Sequence, residues 1–288
     1  MSDRDGDLDV IVIKGNHEQV PDVILVNDGK GRFTKRSLSV TGDRGYGIGI
    51  ADFDADGDLD LAVGNDRPDP KLLYFNDGRG QFTQAGAFGD PAWPTRNIAV
   101  ADLNGDRRPD IVVANRDGRS GTHVNYFCIN EAGRFGRACR EVSPESATTI
   151  AVEDMNADGA PDIIVPNRDN RPSYIHLNDG KGGFEQRVSF GSGKDESRGV
   201  ATGDFNANRL FAVADLDRDG DLDIVVGHAS TPQMLLINAG NGRFTVQRLE
   251  SALGEGSYGV AVGDLNGDGR PDIVSAGLPT QLFLQTAR

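Results

Sequence analysis

Asp52-Phe-Asp-Ala-Asp-Gly-Asp-Leu-Asp60 decides the fold, because it recurs. The same nine-residue block stands at Asp102–Asp110 (DLNGDRRPD), Asp154–Asp162 (DMNADGAPD), Asp215–Asp223 (DLDRDGDLD) and Asp264–Asp272 (DLNGDGRPD). A copy lacking its first position opens the chain at Asp3–Asp9, where Met1 takes the place of an Asp. A further copy, Asp204-Phe-Asn206-Ala-Asn208, breaks off after its third polar position. Successive starts are separated by 50, 52, 50, 11 and 49 residues. A fixed period of this length is the mark of a repeat architecture.

Each period reads as four short strands. A run of small residues enters the Asp block (Gly45–Ala51, Asn97–Ala101, Thr149–Val152, Gly259–Gly263), and a β-branched run leaves it (Leu59–Val63, Ile111–Ala114, Ile163–Val165, Ile224–Val226, Ile273–Val274). A third run (Leu72–Phe75, Tyr174–Leu177, Leu235–Ile237) ends in a tight turn, Asn76-Asp-Gly-Arg-Gly-Gln-Phe82, repeated at Asn27–Phe33, Asn178–Phe184 and Asn238–Phe244. The fourth strand starts at that Phe. Asn/Asp-Gly turns between short strands mark antiparallel hairpins, and no helical period is visible. Four-stranded units repeated at this spacing predict an all-β fold, a β-propeller of four-stranded antiparallel blades. The whole chain, 1–288, reads as one such domain. Six blades is the favoured count and seven the alternative, because the interval from 204 to 215 is either a duplicated inner strand or a blade without its outer strands. Small residues suit the crowded innermost strand. The turn Phe is expected to fill the gap between neighbouring sheets.

The blocks have the donors of a calcium site. Calcium takes six to eight oxygens and tolerates flexible geometry. Alternate positions one, three and five point their side chains inward: Asp52, Asp54 and Asp56; Asp102, Asn104 and Asp106; Asp154, Asn156 and Asp158; Asp215, Asp217 and Asp219; Asp264, Asn266 and Asp268. Position seven (Asp58, Arg108, Ala160, Asp221, Arg270) offers its backbone carbonyl, and position nine (Asp60, Asp110, Asp162, Asp223, Asp272) closes the shell with a carboxylate. Glycine at position six allows the sharp bend, with Arg107 the exception. Asp3, Asp5, Asp7 and Asp9 form a partial site, and the block at Asp204 has Ala212 at position nine and is expected to bind nothing. So many carboxylates in nine residues repel one another without a cation. Magnesium demands stricter geometry, and zinc or copper would want His or Cys. The competing reading is that Asp and Gly simply make polar turns. About five calcium ions would bring the net charge from −14 to about −4.

These loops, the Asn-Asp-Gly-x-Gly-x-Phe turns and the period resemble the FG-GAP/VCBS repeat family, which is similar to the propeller head of integrin α-subunits. The resemblance covers nearly the whole chain. It implies calcium between the first and second strands of each blade, and adhesion, recognition or scaffold roles outside the cell. The same family lends propellers to lectins and polysaccharide lyases.

Function is less legible. An acidic chain repels nucleic acid and anionic membranes, and no apolar stretch approaches the roughly 18 residues of a membrane span. The chain opens inside a repeat, with no visible signal peptide, which reads as a fragment, a trimmed chain or a misplaced start. The expectation is an extracellular or cell-surface monomer, with no membrane insertion and no nucleic-acid partner. Such a module binds a protein or glycan on the face opposite the calcium loops. Candidate ligand-face residues are Tyr46, Arg96, Arg198 and Tyr258, six before the loop starts at 52, 102, 204 and 264, with Trp93 and His228. Aromatic rings beside Arg could hold a sugar or an acidic ligand; equally, Arg solvates the face and Trp packs between blades. The four His show no zinc or nucleophile spacing, so no catalytic residue is assigned. The alternatives are a carbohydrate-active lectin or lyase with its site at the channel mouth, or a ligand-less repeat fragment or engineered propeller. Cys128 and Cys139 flank the hairpin turn Asn130–Phe135, and either bridge across it or remain two buried thiols.

Overall fold

The computed structural model describes residues 5, 9–14, 19–28, 30, 32–39, 42–116, 124–136, 139–167, 171–195, 211–226, 233–239, 243–249, 259–263, 270–276 and 281–285. Those residues hold strands and no helix, and hence no helix long and apolar enough to cross a membrane. Two compact units divide the chain, Met1–Pro144 and Glu145–Arg288.

The first unit carries three antiparallel sheets whose strands lie in chain order. One is β1 (Val10–Val12), β2 (Val23–Asn27) and β3 (Phe33–Ser37). The next is β4 (Gly45–Ala51), β5 (Asp60–Asn65), β6 (Lys71–Asn76) and β7 (Phe82–Phe88). The third is β8 (Thr95–Ala101), β9 (Asp110–Asn115), β10 (Asn125–Cys128) and β11 (Arg140–Ser143). The second unit repeats the plan. Its sheets are β12 (Ala151–Glu153), β13 (Asp162–Val165), β14 (Arg171–Leu177) and β15 (Gln186–Asp195); β16 (Phe211–Ala214), β17 (Asp223–Val226), β18 (Gln233–Asn238) and β19 (Phe244–Leu249); and β20 (Gly259–Gly263), β21 (Asp272–Ala276) and β22 (Gln281–Phe283). The all-β propeller class read from the sequence is the class observed. The Asp215 loop takes its first strand from β16, immediately before it, while the broken copy at Asp204 lies outside the described residues.

Burial explains the composition of each strand. Every residue of β5 and β9 is buried, so these second strands are covered on both faces and run as continuous apolar stretches. The outer strands β3 and β19 are largely exposed and alternate poorly. Apolar side chains of neighbouring sheets then interlock. Phe53, Leu73, Phe88, Ile98, Ile111 and Phe135 join the second and third sheets, and Met155, Ile164, Ile175, Phe190, Ile224 and Leu236 join the first two sheets of the second unit. The turn Phe behaves as expected at Phe135, which meets Phe53 edge-on at 5.7 Å, and at Phe82 and Phe244, which pack on the cores beside them. Phe33 instead stands 48% exposed. The first strands approach closely. A Cβ on Gly47 would lie 2.9 Å from the Asn97 backbone, and one on Gly49 would lie 2.5 Å from Val100 Cγ2, so only glycine fits. Cys128 and Cys139 are joined in a disulfide.

His176, paired with Ile163 in the second unit, is 2% exposed, and its Nε2 has no hydrogen-bond partner. Burial first, and Arg187 second, push its pKa down to about 4. The folded state therefore holds this imidazole neutral, while the unfolded chain binds a proton near pH 6.5. Its stability contribution is present above that pH and is lost as pH falls towards 4. Wild type should lose about 2–3 kcal/mol more than His176→Leu between pH 7 and pH 4, read by denaturant titration at the two pH values.

Candidate metal centre

The four loops described in full, 52–60, 102–110, 154–162 and 215–223, fold by one hydrogen-bond pattern. The carboxylate at position one turns back over the loop. Asp52 Oδ1 accepts from the Asp56 N–H at 3.2 Å, and its Oδ2 accepts from Gly57 at 2.9 Å. Asp102, Asp154 and Asp215 do the same for positions five and six of their loops. Position three also accepts from position five, whether it is Asp54, Asn104, Asn156 or Asp217. Position five accepts from the N–H of position seven, so each oxygen-bearing side chain curls towards the loop interior. Two residues of each loop take left-handed backbone. Position six was anticipated (Gly57, Gly159, Gly220), while position four (Ala55, Gly105, Ala157, Arg218) was not.

Position nine ties the loop to the sheet. Asp60 is fully buried; its Oδ2 accepts from the Phe53 N–H and its Oδ1 from the Asn76 N–H, both at 2.9 Å. Asp110, Asp162 and Asp223 repeat both bonds. In the partly described loops, Asp9 accepts from Asn27, and Asp272 accepts from Gln285. Burial raises the pKa of Asp60, Asp110, Asp162 and Asp223 to about 6, against the pull of their two backbone donors. Burial, then the neighbouring carboxylate, also raises Asp54 and Asp217. Carboxylate oxygens of Asp52, Asp54 and Asp60 lie within 4.8 Å of one another, as do those of Asp215, Asp217 and Asp223. The loops at 102 and 154 place an Asn at position three of the same scaffold. Asp56, Asp58, Asp219 and Asp221 belong to the same two loops, and Asp106 and Asp158 hold position five of the other two.

One residue type escaped the sequence reading. The Asn that closes the third strand was read only as a turn former, yet its side chain clips two loops together. Asn130 Nδ2 donates to Pro109 O of its own loop and to Phe53 O of the preceding sheet's loop. Asn238 does the same with Leu222 O and Met155 O, and Gln285 reaches Leu216 O. The signal was available as an Asn recurring at the end of the third strand, at Asn27, Asn76, Asn130, Asn178 and Asn238, whether or not an Asp-Gly follows it.

The opposite ends of the strands gather some of the ligand-face candidates. Arg96 places its guanidinium 4.3 Å from the Tyr46 ring centroid and its Nη1 2.7 Å from Asp66 Oδ1. Trp93 stacks on Tyr126 at 4.2 Å with the rings 5° from parallel, and its benzo ring abuts Gly89. Beneath them Lys71, fully buried, donates Nζ to the carbonyls of Trp93 (2.8 Å), Asp69 (3.3 Å) and Pro91 (3.3 Å). Arg198, Tyr258 and His228, and the loop residues Asp3, Asp7, Asp264, Asn266 and Asp268, lie outside the described residues; Asp5 is exposed, and Arg270 borders Asp272.

The FG-GAP-like repeat matches residues 3–63, 52–113, 154–210 and 215–275. The chain belongs to this FG-GAP repeat family. Cartilage acidic protein 1 of Mus musculus is 29% identical over 157 residues, and that of Xenopus tropicalis 28% over 153, each covering 49% of this chain. The match spans 22% of the length of those relatives. Among solved structures, the Agrocybe aegerita lectin that recognises non-reducing terminal N-acetylglucosamine aligns over 92% of this chain and 74% of its own, with a TM-score of 0.59 at 20% identity. The Dos1 propeller aligns over 96% and 66%, with a TM-score of 0.57 at 8% identity. At such identities the likeness shows the propeller fold alone.

Within the FG-GAP loops, Arg107 holds position six with φ 68° and keeps the same bond to Asp102 that the glycines make to theirs. A side chain there strains the backbone. Arg107→Gly should therefore gain about 0.5–1 kcal/mol in thermal unfolding, while Gly57→Arg should lose as much or more. Lys71→Met should leave three carbonyls without their donor, cost about 2–3 kcal/mol, and red-shift the emission of Trp93, the chain's only tryptophan.

Proposed function

We propose that this chain is a calcium-stabilised, extracellular FG-GAP propeller module that binds a protein or glycan partner and catalyses no reaction. The observation that carries the calcium assignment is the convergence of Asp52, Asp54 and Asp60, and of Asp215, Asp217 and Asp223, on loops with a common scaffold. The donors are all oxygen, which selects a hard cation, and the loops are irregular and bent, which suits calcium over magnesium. The buried position-nine carboxylates, held above their ordinary pKa, are the groups a cation would relieve. Side chains at positions one, three, five and nine would hold the ion, with the carbonyl of position seven. Calcium there supplies stability, since it binds a geometry only the folded chain presents. The Cys128–Cys139 disulfide supports an oxidising compartment, and the relatives named cartilage acidic protein agree with it.

The binding role rests on the loops at the other ends of the strands, where Tyr46, Arg96 and Trp93 gather on a rigid base. Glycans are the first class to test, because a lectin on the same fold recognises N-acetylglucosamine. Thermal unfolding in calcium against chelator should show a rise of about ten degrees or more, with about five ions per chain from the repeat loops by elemental analysis. Saturation at a hundredfold excess over Kd stabilises by about 2.7 kcal/mol per site. No shift and no bound metal would reduce the loops to polar turns. A glycan array then tests the binding role: binding lost in Arg96→Ala supports this face, and turnover of a polysaccharide would replace the module with an enzyme.

A further inference from the structure

A second group of acidic side chains lies away from the repeat loops. Asp22 stands immediately before β2, Asp43 two residues before β4, and Asn65 closes β5. All three are therefore at the ends of the first two sheets remote from the Asp loops. Asp22 and Asn65 are fully buried, and Asp43 is 7% exposed. Asp22 Oδ1 accepts from the Lys14 N–H at 2.7 Å, and Asp43 Oδ2 accepts from Asn65 Nδ2 at 3.0 Å. The remaining oxygens, Asp22 Oδ2, Asp43 Oδ1 and Asn65 Oδ1, have no hydrogen-bond partner. Gly45 borders them: a Cβ there would lie 2.3 Å from Ile13 Cγ2, 2.8 Å from the Lys14 carbonyl oxygen and 3.4 Å from Asp22 Oδ1, so the backbone of β4 packs close against this group.

Among the described residues, the positive charge felt at Asp22 is that of Lys14, and its pull is smaller than the effect of burial. Arg44 turns both its backbone N–H and its Nη1 to Asp69, which Gln19 also reaches. Lys14 contributes a backbone N–H and, more weakly, its charge to Asp22, and neither is felt at Asp43. The other titratable groups felt here, Asp69 and Tyr74, bring no positive charge. The arrangement is not a feature of the repeat. The residue heading the third strand is Asp22, Lys71, Asn125, Ser173 and Gln233 in successive sheets, buried each time. Asn125 Oδ1 and Ser173 Oγ accept a backbone N–H just as Asp22 Oδ1 does, but neither carries a charge or a second carboxylate oxygen. Three buried acceptors, two of them charged, without a donor are costly unless a cation satisfies them.

We propose that Asp22, Asp43 and Asn65 hold a hard divalent cation of the calcium class, at a site separate from the FG-GAP loops. The donor set is oxygen only, and two carboxylates match a divalent charge. Burial and, for Asp43, the charge of Asp22 raise these carboxyls to about 6 and about 7, as expected for a pair awaiting a cation. The site ties the first sheet to the second at the ends opposite the repeat loops.

The test is calcium counted by equilibrium dialysis on the full chain, with wild type, Asp43→Asn, Asp22→Asn and the loop variant Asp52→Asn compared at pH 7.5. Each of the first two should bind one ion fewer than wild type, and Asp43→Asn/Asp52→Asn two fewer. Thermal unfolding adds a sign: in chelator Asp43→Asn should melt above wild type, because a buried repulsion is gone, and in saturating calcium it should melt below. Unchanged ion counts in both Asp22→Asn and Asp43→Asn, with a stability difference that calcium does not alter, would mean the pair shares a proton and would overturn the proposal. Loss of the ion in Asp43→Asn but not in Asp52→Asn would sustain this site while removing the loop reading.

Discussion

The carboxylate at position nine of each repeat is the interaction on which the rest of the molecule depends. Asp60, Asp110, Asp162 and Asp223 are each buried completely, at the start of the strand that leaves the loop. One oxygen holds the N–H of position two, which closes the loop; the other holds the N–H that ends the third strand, which fixes the hairpin turn beside it. A single side chain thus joins three strands of one sheet. The cost of burying its charge is met by two backbone donors and, in the proposed calcium form, by the ion.

From that carboxylate the order spreads to the neighbouring sheet. The residue whose N–H the Asp holds is an Asn, or Gln285, and its side chain reaches the preceding sheet's loop at position two: Asn130 to Phe53, Asn238 to Met155, Gln285 to Leu216. Those position-two side chains are themselves the apolar plugs of the cores beneath. Loop geometry, inter-sheet hydrogen bonds and core packing are therefore one cooperative arrangement. A cation in the loop would act on the packing of two sheets rather than on a surface turn.

The opposite ends of the strands obey no such uniform rule. The residue heading the third strand is buried and polar in the five sheets where it is described, but it differs in kind, and its partners differ with it. In the second sheet, Lys71 gathers three carbonyls under the segment carrying Trp93; in the first, Asp22 faces Asp43. A rigid repeated scaffold with one uniform end and one varied end places individuality on the varied end, where Arg96, Tyr46 and Trp93 lie.

The sequence by itself determined the repeat, the four-strand plan and the oxygen-bearing side chains of the loops, because each is written in local spacing. An Asp at every second position, a glycine at the bend and an Asn-Asp-Gly turn are short-range requirements that leave short-range traces. Arg107 illustrates the limit: its departure from glycine is visible in the sequence, but that the loop closes around it at positive φ is set by the bonds to Asp102 and by the strands on either side. The tertiary structure alone decided which loops each Asn clips, that Lys71 is caged by carbonyls up to 22 residues away, and that Asp22 and Asp43 come together. These partners come from different strands or different sheets. Their approach follows from sheet packing, and no periodicity along the chain encodes it.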